Sequence, residues 1–279
     1  MSLGVLLIVL AGALLHASWN LLIKAGRDTR VATAGVYIGA GGLAAVTLAF
    51  LPPLPPAGWP YLAASTGIEV LYGVVLAAAY RLGDLSLAYP LMRGTAPLLV
   101  AIGSVALLGQ PLSHAVWCGV VLVSFGIWVM VLDARPQGHS LAAVRLALLN
   151  AVVIAAYTTI DGAGVRASGE PLSYGAWIFV LTGLPWLLWS ALRSRVQLRA
   201  EFRRVLALGI VGGACSLVSY VAALWAMTRA PVAAVAAVRE TSILFGTVLG
   251  VLVLRERLTA ARALAAASIV VGVWFIRGG

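Results

Sequence analysis

The hydrophobic positions of the chain fall into ten runs of about 20 residues, separated by short polar, Pro-containing or Gly-containing segments. A helix of this length crosses the hydrocarbon core of a bilayer. The runs lack the alternating pattern of a membrane β-barrel, and in lipid every backbone polar group needs a partner, so helices are predicted. The predicted spans are residues 2–23, 31–51, 59–80, 85–109, 112–132, 141–164, 172–192, 204–228, 231–254 and 258–276.

The composition agrees with a polytopic membrane protein. Of the 279 residues, 62% are hydrophobic and 10% are charged, whereas roughly a quarter of the residues in a soluble domain are charged. The first run lacks a basic leading region and is too long for a signal peptide, so a retained helix is expected. The lipid bilayer is therefore a predicted partner of the chain, and a monomer is compatible with the pattern.

The net charge of +10 follows the membrane pattern and does not indicate nucleic acid. Fourteen of the 19 Lys and Arg residues lie in the odd-numbered connections, three lie on the opposite side, and two lie inside spans. Positively charged connections stay in the cytoplasm. This bias predicts that both termini lie on the outer side, and no nucleic-acid partner is expected.

The two halves of the chain are related by an internal repeat at an offset of 146 residues. Each half, residues 1–139 and 140–279, holds five spans. Because five is odd, the second half enters the membrane from the opposite side, and such inverted repeats place binding sites near the midplane. The predicted fold is an all-α membrane protein of ten transmembrane helices around a central cavity. The matching pairs are Arg93 and Arg239, Thr95 and Thr241, Gly126 and Gly272, and Trp128 and Trp274.

Three segments carry a family likeness. They are HASWNLLIKAG, GDLSLAYPLMRGTAPLLVAIGSVALLGQPLS and AMTRAPVAAVAAVRETSILFGTVLGVLVLRERLT, which resemble the EamA family of the drug/metabolite transporter superfamily. The resemblance covers essentially the whole chain and implies ten helices in two inverted repeats, with small metabolites as exported substrates. Among characterised relatives the chain looks most like bacterial aromatic and neutral amino-acid exporters. It departs from many members at Ser242-Ile243 and at Gly109-Gln110.

Five ionisable residues lie inside the predicted spans: Glu69, Arg93, Asp161, Arg239 and Glu240. Such residues usually face the bundle interior and pair with one another or mark substrate and proton pathways. One interpretation makes both arginines members of structural ion pairs with the three carboxylates. The other places an arginine at the pseudo-axis to bind a substrate carboxylate with two hydrogen bonds. A mixture is favoured, in which one arginine binds substrate and the other is neutralised by the protein.

Aromatic and polar side chains complete the predicted site. An aromatic ring offers an apolar wall with a polar edge, which suits an amino-acid side chain or an organic cation. His16 shares a helical face with Trp19 and Asn20 and is either a proton-coupling group or a neutral polar lining residue. Asp161 is the better candidate for proton coupling, because carboxyl groups inside membranes serve in proton relays. The remaining candidates for the cavity wall are Tyr80, Tyr157 and Trp225.

The fourth span is predicted to bend. Pro90 and Pro97, with Gly94 between them, free backbone carbonyl groups and favour a kink, which suits a gate helix. The ninth span has no matching internal proline after Pro231, so unequal bending of the two halves is expected.

The function favoured by these features is a secondary transporter of the bacterial inner membrane that exports a small metabolite, foremost an amino acid, by alternating access. The alternative is a proton-coupled multidrug exporter of hydrophobic cations, which requires an unpaired central carboxylate. An enzyme is not expected, since the sequence has no phosphate-binding loop, zinc signature or nucleophile elbow. Neither a cofactor nor a metal is predicted.

Overall fold

The computed structural model describes residues 1–24, 29–82, 85–133, 141–193, 202–254 and 259–279, and within these ranges it contains helices and no strand. The α-helices are α1 (Leu3–Lys24), α2 (Thr29–Leu48), α3 (Trp59–Leu82), α4 (Leu85–Ala106), α5 (His114–Val129), α6 (Leu141–Ser168), α7 (Pro171–Arg193), α8 (Phe202–Met227), α9 (Val232–Arg239), α10 (Ser242–Leu254) and α11 (Ala260–Gly278). Short 3₁₀ turns lie at Pro56–Gly58 and Met130–Asp133.

Seven helical segments within the described ranges are long and apolar enough to cross a membrane. Their outer surfaces expose large apolar side chains, among them Leu192, Leu252 and Trp274, which are 82%, 72% and 68% exposed. A soluble protein rarely leaves so much apolar surface open, whereas lipid covers it at no penalty. The segments are Leu3–Lys24, Val31–Leu48, Leu141–Ser168, Pro171–Leu192, Leu206–Met227, Val232–Val253 and Ala260–Gly278.

The helices lie on the predicted apolar runs, with two differences. Helix α6 continues to Ser168 and so includes Arg166, which the sequence placed in a connection. The ninth run forms two helices, α9 and α10, because the chain leaves the α-helical geometry at Glu240 and Thr241. The sequence did not predict this interruption.

The interruption in the ninth run is a tight turn that keeps its backbone hydrogen bonds. The amide of Glu240 donates to the carbonyl of Ala237 at 3.1 Å, and the amide of Thr241 donates to the carbonyl of Val238 at 3.0 Å. Both bonds span three residues, as in a 3₁₀-helix. The hydroxyl of Thr241 also donates to Val238, at 2.7 Å. Backbone groups at this depth are thus satisfied internally, as an apolar environment requires.

The packing pairs helices of the first half with helices of the second. Helix α3 packs on α6, and α1 packs on α8. Helix α4 also packs on α6, and α1 also packs on α9 and α10. Two further pairs, α2 with α7 and α5 with α11, join helices that the predicted repeat makes equivalent. The helices at these contacts bury small residues, for example Ala40, Ala147 and Ala237, which are fully buried.

Glycines allow the closest of these approaches. A Cβ atom on Gly39 would overlap the backbone of Gly209, so α2 and α8 touch along their main chains. Gly119 of α5 likewise faces Gly272 of α11, and Ser268 donates a hydrogen bond to the carbonyl of Leu122 at 2.8 Å across the same interface. Small residues let membrane helices approach closely enough for dispersion to hold them together.

Two side chains hold the connection between α8 and α9. The guanidinium of Arg166 donates to the carbonyls of Met227 and Ala230, each at 2.7 Å. The side-chain oxygen of Gln110 accepts a hydrogen bond from the amide of Val232 at 3.0 Å, where α9 begins. Carbonyls at a helix C-terminus and amides at an N-terminus lack partners within their own helix. The two contacts satisfy such groups and tie α6 and the end of α4 to this connection.

Candidate functional site

A small cavity lies between α4, α6 and α9. Its walls carry two arginines, a carboxylate and a tyrosine among apolar side chains, so it is a polar site inside an apolar bundle. The described lining residues are Arg93, Ala96, Pro97, Val100, Ile154, Tyr157, Thr158, Ala236, Arg239 and Glu240.

Arg93 is neutralised on one side of the cavity. Its Nε atom lies 2.9 Å from Oε2 of Glu240, and the two side chains are only 12% and 7% exposed. A terminal nitrogen of the same guanidinium lies 3.5 Å from the hydroxyl of Ser242, in the first turn of α10. Both partners are supplied by the interrupted ninth run, so this turn positions the acceptors of the α4 arginine.

Arg239 occupies a different environment on the same cavity. Its guanidinium carbon lies 4.9 Å from the centre of the Tyr220 ring, a cation–π contact. Among the described residues no carboxylate oxygen lies within ion-pair distance of it. Since Arg93 takes Glu240, the hydrogen-bonding edge of Arg239 has no carboxylate from the described part of the chain.

Behind Arg239 lies a group of acidic and phenolic side chains. Asp161 is fully buried in α6. The hydroxyl of Tyr174 donates to its Oδ1 at 3.0 Å, and the hydroxyl of Tyr220 donates to its Oδ2. The same Tyr220 oxygen lies 3.5 Å from Oε1 of Glu69 on α3. One hydroxyl therefore stands between two carboxyl groups, and its ring stands under Arg239.

The polar face of α1 is more self-contained than the sequence suggested. The rings of His16 and Trp19 meet edge to face with centroids 5.1 Å apart. The side-chain amide of Asn20 donates to the carbonyl of His16 at 2.7 Å, within its own helix. The indole nitrogen of Trp19 is buried without a hydrogen-bond acceptor among the described residues.

Other predicted wall residues have separate surroundings. Tyr157 lines the cavity and meets the ring of Tyr72 at 6.0 Å between centroids. Trp225 lies under the guanidinium of Arg229, at 4.5 Å, near the end of α8. The side chain of Tyr80 lies outside the described part of the structure.

The predicted gate residues lie in a helix without interruption. Pro90 and Pro97 are both inside α4, which runs from Leu85 to Ala106, and Pro97 lines the cavity. A Cβ atom on Gly94 would lie 2.5 Å from the Trp128 ring, so this glycine makes room for α5. The gate role of this trio stays a prediction.

The sequence reasoning missed Tyr174 as a site residue and placed Tyr220 only in a helix expected to line the cavity. Tyr174 follows the start of α7 and, by position, is typical of a membrane-interface residue. Tyr220 lies within an apolar run, and nothing in that run distinguishes it from a packing residue. Their shared partner, Asp161, was visible as a charge in a span, but its phenolic donors come from helices distant in sequence.

Apolar helices around a small charged and aromatic cavity define a membrane protein built to handle a small solute. Residues 141–278 match the sequence model of the EamA-like transporter family. The chain belongs to this family, within the drug/metabolite transporter superfamily, and is a multi-pass membrane transporter. The match confirms the family resemblance inferred from the sequence motifs over residues 141–278, and the likeness to amino-acid exporters stays a prediction.

The comparison with solved structures agrees on the fold. A protein crystal structure that is 22% identical covers 98% of this chain and 98% of its own, with a TM-score of 0.78. At this identity the likeness concerns the fold alone. A search of curated protein sequences gives no match.

Proposed function

We propose that the protein exports small zwitterionic metabolites, foremost amino acids, across the bacterial inner membrane by alternating access. The observation that carries the proposal is the contrast between the two cavity arginines. Arg93 is paired with Glu240 at 2.9 Å, whereas Arg239 has the face of Tyr220 and no described carboxylate within ion-pair distance. A guanidinium with an open edge binds a carboxylate through two parallel hydrogen bonds.

The neighbourhood of Arg239 also suits the rest of an amino acid. Tyr157 and Pro97 supply aromatic and apolar wall on the cavity, and Glu240, which also pairs with Arg93, supplies an acidic group in the same wall for an ammonium group. An apolar pocket with a few placed charges is the usual form of a small-molecule site.

Helix packing supports two inverted five-helix repeats as the transport machinery. The pairs α3–α6 and α1–α8 correspond under exchange of the halves, as do α4–α6 and α1 with α9 and α10. The pairs α2–α7 and α5–α11 map onto themselves. In such an architecture one half rocks against the other around a fixed site. The charge bias of the connections favours both termini on the outer side.

The test is uptake into proteoliposomes of labelled phenylalanine, threonine and glutamate, with tetraphenylphosphonium as the cation. Saturable flux of an amino acid that disappears in the Arg239→Ala variant is the expected result. The matched control is Arg229→Ala, which removes an exposed arginine that also contacts an aromatic ring but lies away from the cavity. Equal amino-acid flux in wild type and Arg239→Ala would refute the role of Arg239.

One observation favours a second function, the export of hydrophobic cations. Asp161 is buried and hydrogen-bonded to two tyrosines, and no described arginine or lysine lies within ion-pair distance of it. A buried carboxylate without a cationic partner is what a cation exporter requires. Saturable flux of tetraphenylphosphonium, lost in Asp161→Asn, together with no amino-acid flux, would establish this alternative.

A further inference from the structure

We propose that Glu69 and Asp161 form a binding site for a single proton, bridged by the hydroxyl of Tyr220 and linked through the Tyr220 ring to Arg239. The inference deepens the proposed function, on which its transport test rests, because it makes substrate binding at Arg239 sensitive to the charge of the carboxyl pair. Proton binding itself is measured separately below.

The number of hydrogens in the group leads to this inference. A phenol hydroxyl carries one hydrogen, and an ionised carboxylate only accepts. The hydroxyl of Tyr220 donates to Asp161 and also lies 3.5 Å from Oε1 of Glu69. The contact with Glu69 is longer than a usual O–H···O hydrogen bond and can close to one only if a second hydrogen is present. That hydrogen is then on one of the carboxyl groups.

The distribution of donors assigns the extra hydrogen to Glu69. Both oxygens of Asp161 already accept a hydrogen bond, Oδ1 from Tyr174 at 3.0 Å and Oδ2 from Tyr220. Glu69 has the Tyr220 oxygen as its partner, and a protonated Glu69 can donate to that oxygen. Asp161 is fully buried and Glu69 is partly buried, and two carboxylates sharing one such site do not both ionise, because like charges repel strongly where water is scarce.

The Tyr220 ring connects the proton site to the substrate arginine. Its face lies 4.9 Å from the guanidinium of Arg239, and its hydroxyl lies between the carboxyl groups. When Glu69 loses its proton, the pair gains a negative charge that attracts Arg239 toward α3 and α6. When Glu69 is protonated, Arg239 is freer to bind a carboxylate in the cavity. Proton and substrate carboxylate therefore bind together.

The charged and titratable groups near the pair come from several of the described helices. Arg239 on α9 is the cation that acts on both carboxyl groups, and Arg93 with Glu240 forms a separate ion pair beyond it. His16 on α1 interacts electrostatically with both arginines. The other described groups near the pair are phenols, which stay neutral at physiological pH. They are Tyr37 on α2, Tyr72 on α3, Tyr157 on α6, Tyr174 on α7 and Tyr220 on α8.

The proton balance is simple. Loading forms one O–H bond on Glu69 and removes one negative charge from the pair. Unloading breaks that bond, and the proton passes to water on the side to which the cavity is open. Because the proton and the zwitterion bind together, both cross the membrane in the same direction, and no oxidant or other reactant is needed.

The first experiment measures the proton alone, by infrared difference spectroscopy of the purified full chain between low and high pH. The wild type is expected to show a protonated-carboxyl C=O band that disappears as pH rises and that is missing from Glu69→Gln. The control is Glu170→Gln, which removes a carboxyl group at the start of α7, outside the site. A wild-type minus Glu69→Gln spectrum without a protonated-carboxyl band at any pH would overturn the inference.

The second experiment separates coupling from transport, with the amino acid of the panel that gives saturable flux. Glutamine donates to the Tyr220 oxygen as a protonated glutamate does. Glu69→Gln should therefore keep exchange of labelled for unlabelled amino acid without a gradient and lose accumulation driven by a pH gradient, about tenfold or more. Full gradient-driven accumulation in this variant would overturn the inference.

A variant of the bridge tests the linkage. Tyr220→Phe keeps the ring under Arg239 and removes the hydroxyl, so it should lower gradient-driven accumulation by a larger factor than it lowers exchange. Tyr61→Phe, an exposed tyrosine on α3, is the matched control. If no panel compound is transported by the wild type, the proposed function fails, while the infrared spectra still decide whether Glu69 binds a proton.

Discussion

Breaking the ion pair between Arg93 and Glu240 should destabilise the protein more than any other single change in the cavity. Coulomb's law at an effective dielectric constant of about 20 gives about 6 kcal/mol of attraction for unit charges 2.9 Å apart. Desolvation of both groups opposes this attraction, so the net value of the pair is much smaller. Removing one partner leaves an uncompensated charge in the bundle, which costs about 3–5 kcal/mol.

The assay is a double-mutant cycle on the purified protein, unfolded by sodium dodecyl sulfate in mixed micelles and followed by the loss of helical circular dichroism. Arg93→Met and Glu240→Leu should each lower the free energy of unfolding by about 3 kcal/mol or more, and the double variant should lose much less than their sum. Arg229→Met is the control, since its contact with Trp225 is worth about 1 kcal/mol or less.

Additive losses in the double variant would show that Arg93 and Glu240 do not stabilise the bundle through each other. That result would also remove the reason for assigning substrate binding to Arg239, because the two arginines would then be equivalent in their need for a carboxylate.

Three further outcomes are expected. Arg239→Lys should abolish saturable amino-acid uptake and change the free energy of unfolding by about 1 kcal/mol or less, because the contact of Arg239 with the Tyr220 ring is weak. A large loss of stability in the same micelle titration would show that Arg239 has a structural role. Arg166→Ala should lower the free energy of unfolding by about 1–3 kcal/mol through loss of two hydrogen bonds at 2.7 Å. An unchanged free energy of unfolding would contradict a stabilising role of Arg166 at the connection between α8 and α9. Gly39→Ala should destabilise by about 1–3 kcal/mol because its Cβ would meet the Gly209 backbone, whereas Gly42→Ala, with open space, should not; equal effects would refute the close contact of α2 and α8.

The apolar runs predicted where the helices lie because a bilayer fixes both the length and the polarity of a span. The interruption at Glu240 and Thr241 escaped the sequence, which has no Pro or Gly there. Its partners are tertiary, since Arg93 on α4 contacts Glu240 and Ser242 on either side of the turn. Local sequence favours a continuous helix, and only a contact across nearly 150 residues shows why the chain departs from it.

The sequence predicted those site residues that carry a charge within an apolar run. Arg93, Arg239, Asp161, Glu69 and Glu240 were all recognisable because charges at this depth are expensive. The pairing among them was not, because the partner of each depends on helix rotation. The same reason hid the tyrosines that contact Asp161, since a phenol in an apolar run looks the same whether it packs or donates a hydrogen bond.

The 3₁₀ turn between α9 and α10 allows α10 to rotate about its axis and to shift along it. The amides of Glu240 and Thr241 donate to carbonyls three residues earlier. Each residue that changes from this 3₁₀ spacing to α-helical spacing reduces the helical rotation by about 20° and the rise by about 0.5 Å. Converting both would turn α10 by about 40° and draw it in by about 1 Å without leaving a backbone group unpaired. Glu240 and Ser242 would move with it, so the acceptors of Arg93 can be withdrawn or returned by a twist of one short helix.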